Sequence, residues 1–345
     1  MQLVLDTYGL FLKKSRGSFQ VVSKDKKVRF SPHRVSSILI TRPCSISSDA
    51  LLLSAEFQIP VFIAGSDGKI MLRTQSRYFE QSARIRRQQV VMASETMGTQ
   101  WIIELFGAKA KHQIANLKYL LDSTLLEADL LEEVIAYIEE KTDKLSEWNG
   151  HVLAECRFQL MGQEGAMAHQ YWRIVSACLP EEYQFAKRSR RPALDYFNSV
   201  LNYLYGMLYT VVEGAIFAAG LDAHFGVLHA DAIGKPTFVY DMIEPFRPWI
   251  DALLIEYCLK NPLMKTHFEE KDGGIFLAKA GKAVWIPLFN KAMKKNLKDF
   301  NGKELSIKNH IHRFAGEFAK RLLDKSQEGG ENQVEEEDFF EDESI

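Results

Sequence analysis

Cysteine is scarce in this chain of 345 residues. Its four cysteines (Cys44, Cys156, Cys178 and Cys258) are scattered, with no CxxC pair. That spacing gives no basis for a disulfide framework or a cysteine-built zinc site, and it predicts reduced, mostly buried thiols in a cytosolic protein. No uninterrupted apolar run approaches the roughly 18 residues of a bilayer-spanning helix, so no membrane association is expected. The opening Met1-Gln2-Leu3-Val4-Leu5-Asp6 lacks a basic stretch and a cleavage site, so secretion is not expected either. Basic residues are absent after Lys325, where nine acidic residues follow from Glu328 to Glu343. The formal net charge of −2 therefore conceals a body of 43 basic and 36 acidic side chains, a balance of +7. A mildly basic body suits a polyanionic partner. The tail repels itself and offers little apolar surface, which predicts disorder for residues 325–345.

Apolar residues are plentiful, at 46% with 11% aromatic, enough for two domains. Up to about residue 74 they come in short runs (3–5, 10–13, 19–22, 27–30, 35–41, 61–64 and 69–72), punctuated by Asp6-Thr7-Tyr8-Gly9, Arg16-Gly17 and Asp67-Gly68. This pattern predicts a β-rich domain with hairpins. One helix is expected within it, over residues 50–57, capped by Ser48-Asp49 and ended by Pro60. A basic stretch follows, with Arg73, Arg77, Arg84, Arg86 and Arg87. Apolar residues then recur at helical spacing over 104–121, 125–140, 155–178, 194–219, 249–259 and 305–323. A late hairpin is expected to pair 273–277 with 283–286 around Gly281. The expected fold class is α+β: a β-rich domain over 1–76, a linker and basic start of the helical region over 77–90, a mostly α-helical domain over 91–324, and the acidic tail.

Chemistry concentrates in a few places. His229 ends Gly226-Val227-Leu228-His229, and Asp241 and Glu244 follow in Tyr240-Asp241-Met242-Ile243-Glu244-Pro245-Phe246-Arg247-Pro248. Glu164 lies upstream among Gly165, Ala166 and Ala168. One imidazole with two or three carboxylates can bind Mg²⁺ or Mn²⁺, ions that act on phosphate esters. Each residue also has a plainer role open to it. Asp241 and Glu244 could cap a helix start beside Pro245, His229 could be a core histidine, and Glu164 could pair with Arg157 or Arg173. A second constellation runs from Lys187-Arg188-Ser189-Arg190-Arg191-Pro192 to Asp195, Asn198, Asn202 and Tyr205. It combines a basic loop, suited either to phosphate contact or to solvation, with a helix start at Asp195. Lys291, Lys294, Lys295 and Lys298 could also contact phosphate, but are read as a solvated helix face.

The order and spacing of these segments closely resemble the CRISPR-associated adaptation integrases and endonucleases, the Cas1 family, from residue 3 to about 323. The N-terminal part of the resemblance lies in Leu5-Asp6-Thr7-Tyr8-Gly9, Ser45-Ile46-Ser47-Ser48-Asp49-Ala50-Leu51 and Ile59-Pro60-Val61. Arg190-Arg191-Pro192, Asp195 and Asn198 carry its central part. Its most diagnostic block joins Gly220-Leu221-Asp222, Gly226–His229 and Asp241–Pro248. The resemblance implies metal ligands at Glu164, His229 and Glu244, with Asp241 an adjacent acid. It also implies Mg²⁺ or Mn²⁺, a homodimer joined through the β-domains, a Cas2 partner dimer, and insertion of short duplex DNA into a CRISPR array by 3′-hydroxyl attack. Arg188, Arg190, Arg191 and Arg247 are then candidate DNA contacts, with Arg247 alternatively pairing with a ligand carboxylate. A non-catalytic DNA-binding scaffold and a plain metal-dependent nuclease remain as alternatives. The stretch Lys109-Ala110-Lys111-His112-Gln113 matches the family loosely and receives no role.

Overall fold

The short N-terminal runs fold into two small sheets around one core. This computed structural model describes residues 2–24, 26–35, 37–57, 59–64, 70–74, 82–123, 128–299 and 302–328. In the first sheet, β1 (Gln2–Leu5), β5 (Ser37–Ile40) and β7 (Val61–Ala64) run parallel, and β8 (Ile70–Arg73) closes the edge antiparallel to β7. In the second sheet, β2 (Phe11–Ser15), β3 (Ser18–Val22) and β4 (Lys27–Phe30) form an antiparallel meander, with the short β6 (Ser45–Ile46) parallel to β2. The β2–β3 turn needs positive φ at both central residues, and Arg16 (φ 49°) and Gly17 (φ 70°) supply it, as a two-residue hairpin of primed type demands. Leu3, Leu5, Leu12, Phe19, Ile38 and Val61 fill the core together with Ala50 and Leu53 of helix α1 (Ser48–Glu56). The cap of α1 is Ser47, whose hydroxyl accepts from the Ala50 amide; Ser48 and Asp49 are its first two helical residues.

Arg84, Arg86 and Arg87 of the basic stretch lie in helix α2 (Ser82–Met92), at the start of the helical region. Arg77, the turn at Asp67-Gly68 and the tail beyond residue 328 lie outside the described residues. The helical part that follows is organised around α3 (Thr96–Ser123), which at 1.5 Å per residue spans about 42 Å. Helices α4 (Ala128–Lys144) and α5 (Leu153–Cys178) pack against it. Helix α6 (Tyr196–Ala218) packs against α8 (Arg247–Lys260) and α10 (Ile307–Glu328), and the short α7 (Thr237–Met242) lies between α6 and α8 in sequence. Helix α6 is long and apolar enough to cross a membrane by length and composition. Here it is a core helix: Phe197, Val200, Leu201, Leu204, Leu208 and Val212 are all buried. Trp101 of α3, Phe238 of α7 and Phe318 of α10 meet with ring centroids 4.5–5.5 Å apart and tie the bundle together.

The late hairpin pairs β9 (Phe268–Lys271) with β10 (Gly274–Leu277), not 273–277 with 283–286. Residues 283–286 lie within α9 (Lys279–Lys294), where Trp285 is buried and Pro287 is carried inside the helix. Gly281 marks a close approach rather than a turn: a β-carbon there would stand 2.4 Å from the His267 carbonyl oxygen. A second small hairpin, β11 (Asn296–Lys298) with β12 (Glu304–Ser306), precedes α10.

Candidate metal centre

Five elements converge on one cluster of charge. Glu164 projects from the middle of α5. Glu244 opens a 3-10 turn, Glu244–Phe246, that leads directly into α8. Between the two carboxylates sits Lys109 of α3. Its Nζ donates to Glu164 Oε1 and, at 2.6 Å, to Glu244 Oε2. Lys109 and Glu244 are nearly closed off from solvent, at 8% and 9% exposure, so each charge depends on the other. Burial would push the ammonium toward neutrality, but the charges of Glu244 and Glu164 outweigh it and raise the Lys109 pKa. Burial would likewise raise Glu244, yet Arg247 and Lys109 hold it down at about 2. Arg247 donates from Nε to Glu244 Oε1 at 2.9 Å and from Nη2 to the Tyr209 hydroxyl at 2.7 Å. Its guanidinium also lies over the Tyr205 ring, 4.7 Å from the centroid. Arg247 therefore pairs with the carboxylate instead of pointing free at a ligand.

His229 enters from the segment between α6 and α7, with its side chain about one-third exposed. Asp241, 1% exposed, organises that segment. Its Oδ2 accepts the Val227 and Leu228 amides at 2.7 and 3.0 Å, and its Oδ1 accepts the His229 amide at 3.2 Å and lies 2.6 Å from His229 Nδ1. A buried carboxylate facing Nδ1 favours the tautomer with the proton there, which leaves Nε2 as the lone-pair nitrogen. Burial lowers the His229 pKa, but the Asp241 hydrogen bond and the charges of Asp241 and Glu244 more than offset this and raise it. Glu244 and His229 thus feel one another's charge. Asp241 caps no helix start: it lies in the last turn of α7, and its acceptors are spent on 227–229.

Gly226 allows this arrangement. A β-carbon on it would stand 2.2 Å from the His229 carbonyl oxygen and 2.9 Å from Thr237 Oγ1. Gly226→Ala is expected to force the His229 segment off Asp241 and to cost about 1–3 kcal/mol of stability, the range for overpacking. Urea denaturation checks this, and wild-type stability would refute it.

The other marked residues separate. Glu164 pairs with neither Arg157 nor Arg173. Arg157 reaches the Val227 carbonyl and Arg173 reaches Gln170. Asp195 caps α6 by accepting the Asn198 amide at 2.7 Å, and Asn198 and Asn202 hold the Lys187, Ser189 and Arg190 carbonyls. This pins the basic loop. Arg190 and Arg191 are left exposed, while Arg188 turns inward to Asn202 and the Trp172 and Tyr205 rings. The surfaces of Lys291, Lys294, Lys295 and Lys298 are exposed. Among the described residues, no three His, Cys, Asp or Glu side chains already stand in a closed metal-binding group. The cation shared by two of the acids is the lysine ammonium.

Lys109 was not assigned from the sequence, though a signal was there. It lies on the buried face of α3 with Ile102, Leu105, Phe106, Ala110 and Gln113, where a lysine needs an anion.

A small β-rich domain followed by a mostly helical domain is an α+β architecture shared with CRISPR-associated proteins of known structure. The family described as "CRISPR associated protein Cas1" matches residues 3–291, and the chain belongs to it. A CRISPR-associated endonuclease Cas1 of Archaeoglobus fulgidus is 31% identical over 258 residues, covering 72% of this chain and 74% of that protein. In fold, a CAS1 protein from Thermotoga maritima superposes with a TM-score of 0.73 at 18% identity, covering 94% of this chain and 97% of its own. A casposase bound to integration product superposes with a TM-score of 0.64 at 22% identity, covering 94% and 96%.

Proposed function

We propose that this chain is a divalent-metal-dependent DNA integrase of CRISPR spacer acquisition, with endonuclease-type chemistry. Glu164, His229 and Glu244 are its metal ligands, and Asp241 is the acid that orients His229. The observation that carries the reading is the cation already held between Glu164 and Glu244, beside an imidazole whose Nδ1 is fixed by a buried carboxylate. Two hard oxygen donors and one neutral imidazole nitrogen fit Mg²⁺ or Mn²⁺. Bound there, such an ion would supply Lewis-acid polarisation of a phosphodiester and lower the pKa of an attacking 3′-hydroxyl. The protein's part is to hold the donors. Asp241 holds the Nδ1 side of the His229 ring, so that the neutral imidazole presents its Nε2 lone pair. Arg247 fixes Glu244 through one oxygen and leaves the other to the shared cation. Arg190 and Arg191 contact phosphate in this reading, which their exposure on a loop pinned by Asn198 and Asn202 supports. Arg188 and Arg247 instead buttress the centre from within.

The family's assembly extends the reading: a homodimer through the N-terminal domains, two such dimers around a Cas2 dimer, double-stranded DNA as both fragment and target, and a cytoplasmic location. The test is strand transfer. Protein, Cas2 partner and a duplex with 3′-hydroxyl ends are incubated with supercoiled array DNA and Mn²⁺ or Mg²⁺. Joined products are expected with wild type, and only the metal-free background with His229→Ala or Glu164→Ala. Full strand transfer by either variant sinks the ligand assignment. Cut but unjoined DNA would instead identify a plain nuclease, and DNA binding without reaction a scaffold.

A further inference from the structure

The segment that presents His229 is held at both ends, and only one holder belongs to the centre described above. Asp241 grips its end, at residues 227–229. Its beginning is gripped from 133 residues away by Gln89 of α2, a side chain with 0% exposure. The Gln89 amide makes three hydrogen bonds to backbone. Nε2 donates to the Asp222 carbonyl at 2.8 Å and to the Phe225 carbonyl at 3.0 Å, and Oε1 accepts the Asp222 amide at 2.9 Å. Donors and acceptor are thus used as a strand partner would use them, on a stretch with no regular structure of its own. Arg86, one turn earlier on α2, adds its guanidinium 3.9 Å from the Asp222 carboxylate. A buried amide with this many partners is costly to leave unmatched, so α2 and residues 222–225 must move together. Only three residues separate Phe225 from His229, and Gly226 among them packs closely against the His229 carbonyl and Thr237.

We infer that Gln89 is a positioning residue for His229: through it, α2, the first described helix after the N-terminal sheet, sets the backbone from which the imidazole reaches the reacting phosphate. The inference rests on His229 belonging to the reacting centre.

The experiment compares Gln89→Met, which keeps side-chain length and loses all three bonds, with Ile85→Val, which loosens the packing of the same helix and leaves the amide in place. Each is taken through strand transfer, DNA affinity, thermal unfolding, and hydrogen exchange of the 226–229 amides. The expected result is that Gln89→Met lowers the strand-transfer rate at saturating DNA about tenfold or more, leaves DNA affinity within twofold, and speeds exchange at 227–229. Ile85→Val should do neither. A Gln89→Met protein with wild-type rate and exchange overturns the inference. So does a pair of variants whose rates fall together in step with their melting temperatures, since that is the behaviour of a merely structural residue. Should Gln89→Met not fold, Gln89→Glu goes through the same measurements. It keeps the acceptor for Asp222 and loses both donors. An active His229→Ala protein would count against the role of His229 itself, and the exchange arm still decides whether Gln89 holds the segment.

Discussion

Replacing Lys109 with methionine is expected to destabilise the metal-free protein by about 3–5 kcal/mol, the usual cost of removing one partner from a buried ionic cluster. Glu164 and Glu244 lose their shared cation, and Arg247 covers only one oxygen of Glu244. Methionine fills a similar volume, so the loss reflects charge and not a cavity. The same substitution should increase the stabilisation gained from Mn²⁺. In the wild type an incoming ion must displace the ammonium from between the carboxylates; in the variant that place is free. A metal at 100 times its dissociation constant adds about 2.7 kcal/mol to a folded protein that alone binds it. Urea unfolding with and without Mn²⁺ reads both effects. A variant as stable as wild type without metal would show that the two acids do not depend on Lys109. A variant with no larger metal response would show that the ammonium does not stand in the ion's place.

The two members of this cluster were not equally legible. Glu164 stood out as an acid among glycine and alanine in an otherwise apolar helix, which demanded a cation without naming one. The cation lies 55 residues away, and local spacing could not choose Lys109 over the nearer Arg157 and Arg173. Asp241 was legible as an acid close to His229, but its hold on three consecutive amides depends on the path of the chain between Gly226 and Thr237. The fold shows the same division. Helix periodicity reports contacts within a few residues, and it located α3, α4, α5, α6, α8 and α10. The β-domain was read as hairpins, and β2–β3–β4 is such a meander. β1, β5 and β7 are parallel neighbours from distant parts of the chain, and no turn signal marks that pairing. The late hairpin was misplaced because Gly281 and Pro287 weaken the helical signal of α9. The structure uses Gly281 for the approach to His267, and Pro287 sits inside the helix. Gln89 carried no such signal: a neutral amide on a helix demands no ion, and its partners lie 133 and 136 residues away.

Behind the candidate centre lies a buried acid to which no cation among the described residues is bonded, and its removal should increase stability. Asp251 of α8 is 1% exposed. Tyr205 donates to its Oδ1 at 2.5 Å, and Tyr171, itself bonded to Asn116, lies 3.3 Å from its Oδ2. Burial pushes its pKa up to about 7, against the Tyr205 hydrogen bond and the charges of Arg188, Lys109 and Arg247. The sign follows from linkage. Near pH 4 and below, the folded and unfolded chains both carry the proton, and this group costs nothing. Between pH 4 and 7 the unfolded chain releases it and the folded chain keeps it, so stability falls as pH rises, by about 1.4 kcal/mol per unit. Above pH 7 the loss levels off at about 4 kcal/mol. Asparagine is isosteric and uncharged, accepts from Tyr205 and can donate to the Tyr171 oxygen. Asp251→Asn is therefore expected to match the wild type near pH 4 and to exceed it increasingly toward pH 7.5. The comparison is by urea unfolding at both pH values, with the His229 centre intact in each protein. Equal stability at pH 7.5 would mean that the tyrosines and the nearby guanidinium groups hold Asp251 ionised at little cost. A variant less stable at both pH values would mean that the carboxylate is needed to accept both tyrosine hydroxyls.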